Sequence, residues 1–177
     1  MALIRFYPSI LVLLAVLSAC NFERACGWYM PKPGTTFFWQ LSATDDALDM
    51  SHPAKLYTVD SSLSAKSIAK LRNAGKVVMC YISFGTAEDY RSDYNQFPKS
   101  VIGGLTCRNE ACTDVWPGER WLDIKSPVVK RIMEKRVQLA KSKGCDGVDP
   151  DNMNAYDNNI MARPISRFTI TAKDQFK

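Results

Sequence analysis

Apolar positions along this chain fall into short unbroken runs separated by stretches where they recur every three to four residues, a pattern of strands alternating with helices. Phe37-Phe38-Trp39-Gln40-Leu41 reads as a buried strand, and residues 55–60 as a second. Serines 61, 62 and 64 offer an N-cap, Leu63, Ile68 and Leu71 lie at roughly helical spacing, and Gly75 ends the helix. Residues 77–83 form an apolar strand. Further on, residues 121–124 read as a strand, Ser126-Pro127 sets an N-cap before a proline at the first helical position, and Gly144 is a C-terminal stop. Val128, Val129, Ile132, Met133, Val137 and Ala140 make the apolar stripe of that helix, and the lysines and arginines at 130, 131, 135, 136 and 141 cover most of the rest. Residues 145–151 return as a strand.

Two successive β-α-β units predict an α/β fold with a parallel sheet under helices, either doubly wound or a (β/α)8 barrel. The phosphate-cradling motifs G-x-G-x-x-G and G-x-x-x-x-G-K-[ST] are absent, which favours the barrel. A complete barrel takes about 250 residues. The expectation is therefore a partial (β/α)8 TIM-like barrel, about the first five strands with helices outside.

Composition refines this picture at the N-terminus. The 177 residues are 46% apolar and 23% charged, as in an ordinary globular domain, and no repeat is visible. Residues 1–20 read as a secretory signal: Arg5 is the only charge, residues 10–17 are unbroken apolar, and Leu17-Ser18-Ala19-Cys20 closes the run. The run falls short of the ~20 residues a transmembrane span needs. Two readings of Cys20 stay open, a lipid-anchored first residue of the mature chain or a small residue flanking the cleavage site. Residues 21–35 then form a linker, and 36–177 the domain. The net charge of +5 is spread without a basic run, and the lysines and arginines of 130–143 read as the wet face of a helix, so no nucleic-acid partner is expected.

Cysteines stand at 20, 26, 80, 107, 112 and 145. An exported chain makes disulfides. Cys107 and Cys112, close together in a polar loop, are the first pairing, while Cys80 and Cys145 either pair or remain buried thiols. If Cys20 is lost or lipidated, the remaining number is odd and hints at a missing partner. The lone His52, beside Pro53 in a polar loop, reads as a solvated side chain rather than a catalytic base.

In such folds the active site lies beyond the C-terminal ends of the strands. Here those ends carry Asp60, then Tyr81 and Ser83 with Glu88 close behind, then Asp123, and then Asp146, Asp149, Asp151, Asn152 and Asn154. On an extended strand Asp149 and Asp151 point to the same side. Two carboxylates converging on a concave site are what glycoside hydrolysis requires. Trp39, Trp116, Trp121, Tyr81 and Tyr156 offer flat faces for sugar rings, although core packing is the first expectation for Trp39. A calcium loop counted from Asp149 fails, with Met153 fifth, Asn154 where glycine is needed and Ile160 twelfth, so no metal and no cofactor is expected. A serine or cysteine nucleophile lacks its G-x-S-x-G and its base.

Five segments carry a family resemblance: Lys76-Val77-Val78-Met79-Cys80-Tyr81-Ile82-Ser83; Glu88 with Tyr90-Arg91-Ser92-Asp93; Trp116-Pro117-Gly118-Glu119-Arg120-Trp121-Leu122-Asp123-Ile124; Lys143-Gly144-Cys145-Asp146-Gly147-Val148-Asp149-Pro150-Asp151-Asn152; and Thr171-Ala172-Lys173-Asp174-Gln175. Together they resemble glycoside hydrolase family 114, the endo-α-1,4-polygalactosaminidases with a TIM-barrel domain. The resemblance runs from about Phe37 to the last residue. It implies secreted hydrolysis of an α-1,4-linked galactosamine-containing polysaccharide, with Asp151 as one catalytic carboxylate and Asp149 in a position usually held by another acid. Asp60 matches the second acid of the family's D-x-D strand end, but Thr58 stands at the first and Tyr90 replaces the usual tryptophan. The expected substrate contacts are Asp60, Tyr81, Ser83, Glu88, Glu119, Arg120, Trp121, Asp123, Asp149, Asn152, Asn154 and Tyr156. The family's second catalytic carboxylate, a glutamate, lies in a part of the barrel beyond Lys177, so a fragment or truncated product with half a site is expected. The alternative is a non-catalytic carbohydrate-binding or structural surface protein.

Overall fold

Alternation along the central strands decides everything that follows. In a computed structural model, which describes residues 29–107, 115–158, 168 and 170–175, the chain order is β1 (Phe37–Gln40), β2 (Leu56–Asp60), α1 (Ala65–Asn73), β3 (Val77–Ser83), β4 (Thr86–Glu88), β5 (Ile102–Cys107), β6 (Val115–Leu122), α2 (Pro127–Lys143), β7 (Gly147–Asp151), α3 (Ala155–Asn158) and α4 (Ala172–Gln175). Strands β1, β2, β3 and β7 form one parallel sheet in that order. Tyr57 and Val59 of β2 and Val78, Cys80 and Ile82 of β3 point to one face, where they pack with Leu63, Ile68, Leu71 and Ala140 from the helices and their approaches. Period two then sends Thr58, Asp60, Met79, Tyr81, Ser83, Asp149 and Asp151 to the other face.

The helix boundaries follow their capping residues. Ser64, from the predicted serine cluster, accepts a hydrogen bond from the Ser67 N–H at 3.2 Å, and Ser126 accepts one from the Val128 N–H at 3.3 Å ahead of Pro127. Gly144 ends α2 in the left-handed conformation at φ 93°, which glycine adopts without penalty.

Two sequence expectations need correction. The strand expected at 121–124 does not join the parallel sheet: it belongs to β6, the middle of an antiparallel sheet ordered β4-β6-β5 and inserted between β3 and α2. Its apolar run announces a strand, but pairing partners are set by neighbours that no local pattern reveals. Four strands, not five, therefore make the parallel sheet among the described residues. The second correction concerns β1, which is paired with β2 and leaves Phe37 and Trp39 exposed; Trp39 keeps 60% of its surface in solvent. An aromatic run looks buried by composition although only its alternate residue, Phe38, packs on the core.

His52 is also less solvated than its loop implied. Its ring stacks on Phe38 at 4.2 Å, and its Nδ1 accepts from the Ala54 N–H.

Cys80 and Cys145 form a disulfide that ties β3 to the segment just before β7. The leader expected in residues 1–20, the Cys20 alternatives and the Cys107–Cys112 pairing lie outside the described residues. Among those described, no helix is long and apolar enough to cross a membrane.

The disulfide closes a loop with a sequence separation of 65 residues, and a staple of that span contributes about 3–4 kcal/mol by restricting the unfolded chain. The double variant C80A/C145A is expected to unfold at lower urea concentration by about that amount, read from equilibrium fluorescence. A loss under about 1 kcal/mol would remove the staple role.

Candidate active site

The polar face of the sheet gathers its acids at the strand ends. Asp60 closes β2 because the chain turns there: its Oδ1 accepts the Ser62 N–H at 2.7 Å and its carbonyl accepts the Leu63 N–H. Arg91, from the loop after β4, grips the same carboxylate with both terminal nitrogens at 2.6 and 2.7 Å and reaches Glu88 Oε2 through Nε at 2.8 Å. Burial alone pushes Asp60 upward, but the Arg91 and Ser62 hydrogen bonds outweigh it and hold the carboxyl below its usual range. Glu88, 2% exposed, also accepts the Tyr90 hydroxyl at 2.5 Å. Burial and that carboxylate keep the Tyr90 phenol protonated.

Arg136 supplies a second cation from α2. It chelates Asp93 through Nε and Nη2 at 2.7 and 2.8 Å and donates Nη1 to the Ser83 carbonyl at 2.9 Å. The same Nη1 lies 4.0 Å from Glu88 Oε2. Burial raises Asp93, yet Arg136 brings it net below the normal carboxylate value.

Beside this ion-paired network lies a carboxylate in a different setting. Asp151, exposed at the end of β7, accepts the Tyr81 hydroxyl on Oδ2 at 2.6 Å and the Asn152 N–H on Oδ1 at 2.7 Å. Burial, then the Asp151 hydrogen bond and charge, drive Tyr81 far above an ordinary phenol, so it remains a donor. Asp149, two residues earlier on the same face, accepts the Trp39 indole N–H at 3.2 Å. Trp39 stands on β1, three strand spacings from β7, about 14 Å in a flat sheet. That contact therefore requires the sheet to curl toward its acidic face. Among the described residues no lysine or arginine pairs with Asp149 or Asp151.

Glu119 of β6 occupies a third setting. It is 9% exposed and accepts the Thr86 hydroxyl at 2.5 Å and the Asn152 side-chain amide at 2.8 Å, both on Oε1. Burial, reinforced by the charges of Glu88 and Asp151, raises its proton affinity despite those bonds. A cleft of about 1200 Å³ runs over Asp60, Tyr81, Glu88, Trp116, Glu119 and Asp151 and continues to the α2 flank.

Of the sequence candidates, the fold thus brings together Asp60, Tyr81, Ser83, Glu88, Glu119, Asp149, Asp151 and Asn152. Trp121 is instead 4% exposed and packed with Ala155 and Ile170, an interior position without a face for a sugar. Tyr156 packs against that same cluster, Asn154 lies exposed in the turn before α3, and Arg120 projects from the face of β6 opposite Glu119. Asp123 sits in the turn into α2, where it accepts the Lys125 N–H. The sequence assigned no role to Arg91 or Thr86, and it placed Arg136 on the wet face of α2, whereas that side chain is turned inward and only 11% exposed against Asp93 and the Ser83 carbonyl. Arg91 carried a signal, a cation three residues after Glu88 in a loop between strands. No group of three or more histidine, cysteine or acidic side chains among the described residues is placed to hold a metal ion.

A parallel α/β sheet with acids at its C-terminal edge, flanked by the exposed indoles of Trp39 on β1 and Trp116 on β6, is an arrangement that a barrel-type glycoside hydrolase uses. The family follows: residues 18–177 match the model of glycoside-hydrolase family GH114, and the chain belongs to that family. The crystal structure of Aspergillus fumigatus Ega3 in complex with galactosamine superposes with a TM-score of 0.72 at 35% identity, covering 85% of this chain and 55% of that one. The glycoside hydrolase domain of PelA from Pseudomonas aeruginosa shares the fold at a TM-score of 0.52 and 14% identity, over 73% of this chain and 47% of that one. An uncharacterized protein of Methanocaldococcus jannaschii, MJ1477, is 27% identical over 125 residues, which are 64% of this chain and 34% of that one. The chain thus spans about half the length of the matched structures and a third of that relative.

Because Arg91 compensates two buried carboxylates at once, R91A is expected to cost about 3–5 kcal/mol at pH 7 by leaving both charges unpaired. Asp60 has its proton affinity lowered in the native state, so its contribution is full above the unfolded carboxyl value and disappears as pH falls through the folded one. The gap between R91A and wild type should accordingly narrow below about pH 4, measured by urea unfolding at both pH values.

Proposed function

We propose that this protein is a glycoside hydrolase that cleaves an α-1,4-linked galactosamine-containing polysaccharide outside the cell, with Asp151 as a catalytic carboxylate. The observation that carries the reading is the state of Asp151. It is an exposed carboxylate at the C-terminal edge of the sheet, oriented by one donor on each oxygen and paired with no cation among the described residues. A carboxylate held by one donor on each oxygen is oriented to attack, or to stabilise positive charge developing at, an anomeric carbon. Tyr81 and the Asn152 N–H hold it without consuming its charge.

The substrate class rests on charge and shape together. Arg91 and Arg136 pair with Asp60, Glu88 and Asp93, two cations against three carboxylates, and Asp149 and Asp151 pair with no lysine or arginine among the described residues, so acidic side chains outnumber basic ones at this edge, which suits a polymer bearing ammonium groups. Exposed Trp39 and Trp116, the latter 54% exposed, offer apolar faces on which sugar rings can lie. The likeness to Ega3, crystallised with galactosamine, supports the same class. Action outside the cell is supported by the secretory reading of residues 1–20 and by the Cys80–Cys145 disulfide, which forms in oxidising compartments.

Release of reducing ends from α-1,4-galactosaminan tests the reading. D151N is expected to lower that release at least ~1000-fold, with binding to the immobilised polymer kept and circular dichroism unaltered. Cleavage at the wild-type rate by D151N would overturn the assignment. Binding without cleavage by a protein that carries both catalytic carboxylates would replace it with the carbohydrate-binding alternative.

A further inference from the structure

Asn152 has a backbone φ of 59°, in the left-handed region that a residue with a side chain rarely adopts. Such a conformation persists only where its surroundings impose it, and here they do so from both sides. The side-chain amide donates to Ser83 Oγ at 2.8 Å and to Glu119 Oε1 at 2.8 Å, with Thr86 Oγ1 at 3.3 Å. Ser83 and Thr86 hydroxyls bond each other, and Thr86 donates on to Glu119. The backbone is clasped as well. The Phe84 N–H donates to the Asp151 carbonyl at 3.0 Å, and Gly85 lies so close to the Asn152 carbonyl that a Cβ there would collide with it. The Asp151–Asn152 peptide thereby has one orientation, and in it the Asn152 N–H points at Asp151 Oδ1.

Among the side chains that hold the Asn152 amide, Glu119 is the ionisable one and the one that β6 contributes. We propose that Glu119 is a positioning residue: reaching from the antiparallel insertion, it fixes Asn152 and through it the orientation of the Asp151 carboxylate. The role rests on the reading of Asp151 as a catalytic carboxylate, and it assigns the β4-β6-β5 sheet a part in the chemistry, because Glu119 of β6 holds the residue that follows Asp151. A direct role for Glu119 fits less well, because its Oε1 already accepts two donors inside a nearly closed environment. Glutamine at this position keeps the carbonyl oxygen that accepts them, whereas alanine removes it.

The test compares wild type, E119A and E119Q of the whole chain labelled with 15N. Amide hydrogen exchange at Asn152 is expected to accelerate about tenfold or more in E119A, while amides of the β2-β3 ladder such as Val59 exchange as in wild type. In E119Q it should stay within about threefold. On galactosaminan, E119A should lose about 10- to 100-fold in kcat with KM within about twofold, E119Q should recover most of it, and adding N152A to E119A should cost little more. Unchanged Asn152 exchange in E119A overturns the proposal. So does an E119Q that behaves like E119A, since charge rather than hydrogen-bond geometry would then matter, or exchange that accelerates across the entire sheet, which is a structural role only. A D151N protein that still cleaves overturns the catalytic reading and leaves the exchange result to decide the positioning.

Discussion

Parallel pairing of β2, β3 and β7 fixes a period-two alternation on which both the core and the acidic edge depend. Opposite Cys80 stand Val59 and Val148, and opposite Tyr81 stand Asp60 and Asp149. One row is therefore dry and the next is wet. A slip of one residue would turn valines toward water and carboxylates toward the helices, an exchange that costs both apolar burial and the desolvation of several charges. The disulfide at Cys80 lies on the dry side of this register, one residue from the tyrosine that holds Asp151.

Crowding carboxylates at one edge is costly, and the two guanidinium groups divide that cost unequally. Arg91 and Arg136 compensate Asp60, Glu88 and Asp93, which ties the β2 end, the loop after β4 and helix α2 into a rigid frame. Asp149 and Asp151 are left outside it. The resulting gradient, from compensated acids near α2 to uncompensated acids on β7, separates structural charge from charge available to a ligand within one cleft. Glu119, its proton affinity raised by burial, stands between the two.

How much of this was legible before any coordinates? The β-α-β rhythm, both helix caps and the candidate acids were, because they rest on local chemistry: Ser64, Ser126, Pro127 and Gly144 act within one turn of themselves. Asp149 and Asp151 facing the same side follows from alternation alone. The destination of residues 121–124 was not legible, since an apolar run states that a strand exists and is silent on its partner. Trp39 and Trp121 exchanged expectations for the same reason: one sits at the sheet edge and the other beneath α3, and exposure depends on neighbours distant in sequence. Arg91 went without a role because a loop arginine declares its use only once two carboxylates have been folded around it.

The close approach of Gly85 to Asn152 also bears on how this domain can be recombined. The turn after β3, the β6 glutamate and the end of β7 are complementary surfaces contributed by segments far apart in the chain. A chimera that imports the insertion from a relative while keeping the native β7, or the reverse, would join halves shaped for other partners. The unit of exchange in such hybrids is the turn, the insertion and the Pro150-Asp151-Asn152 segment together.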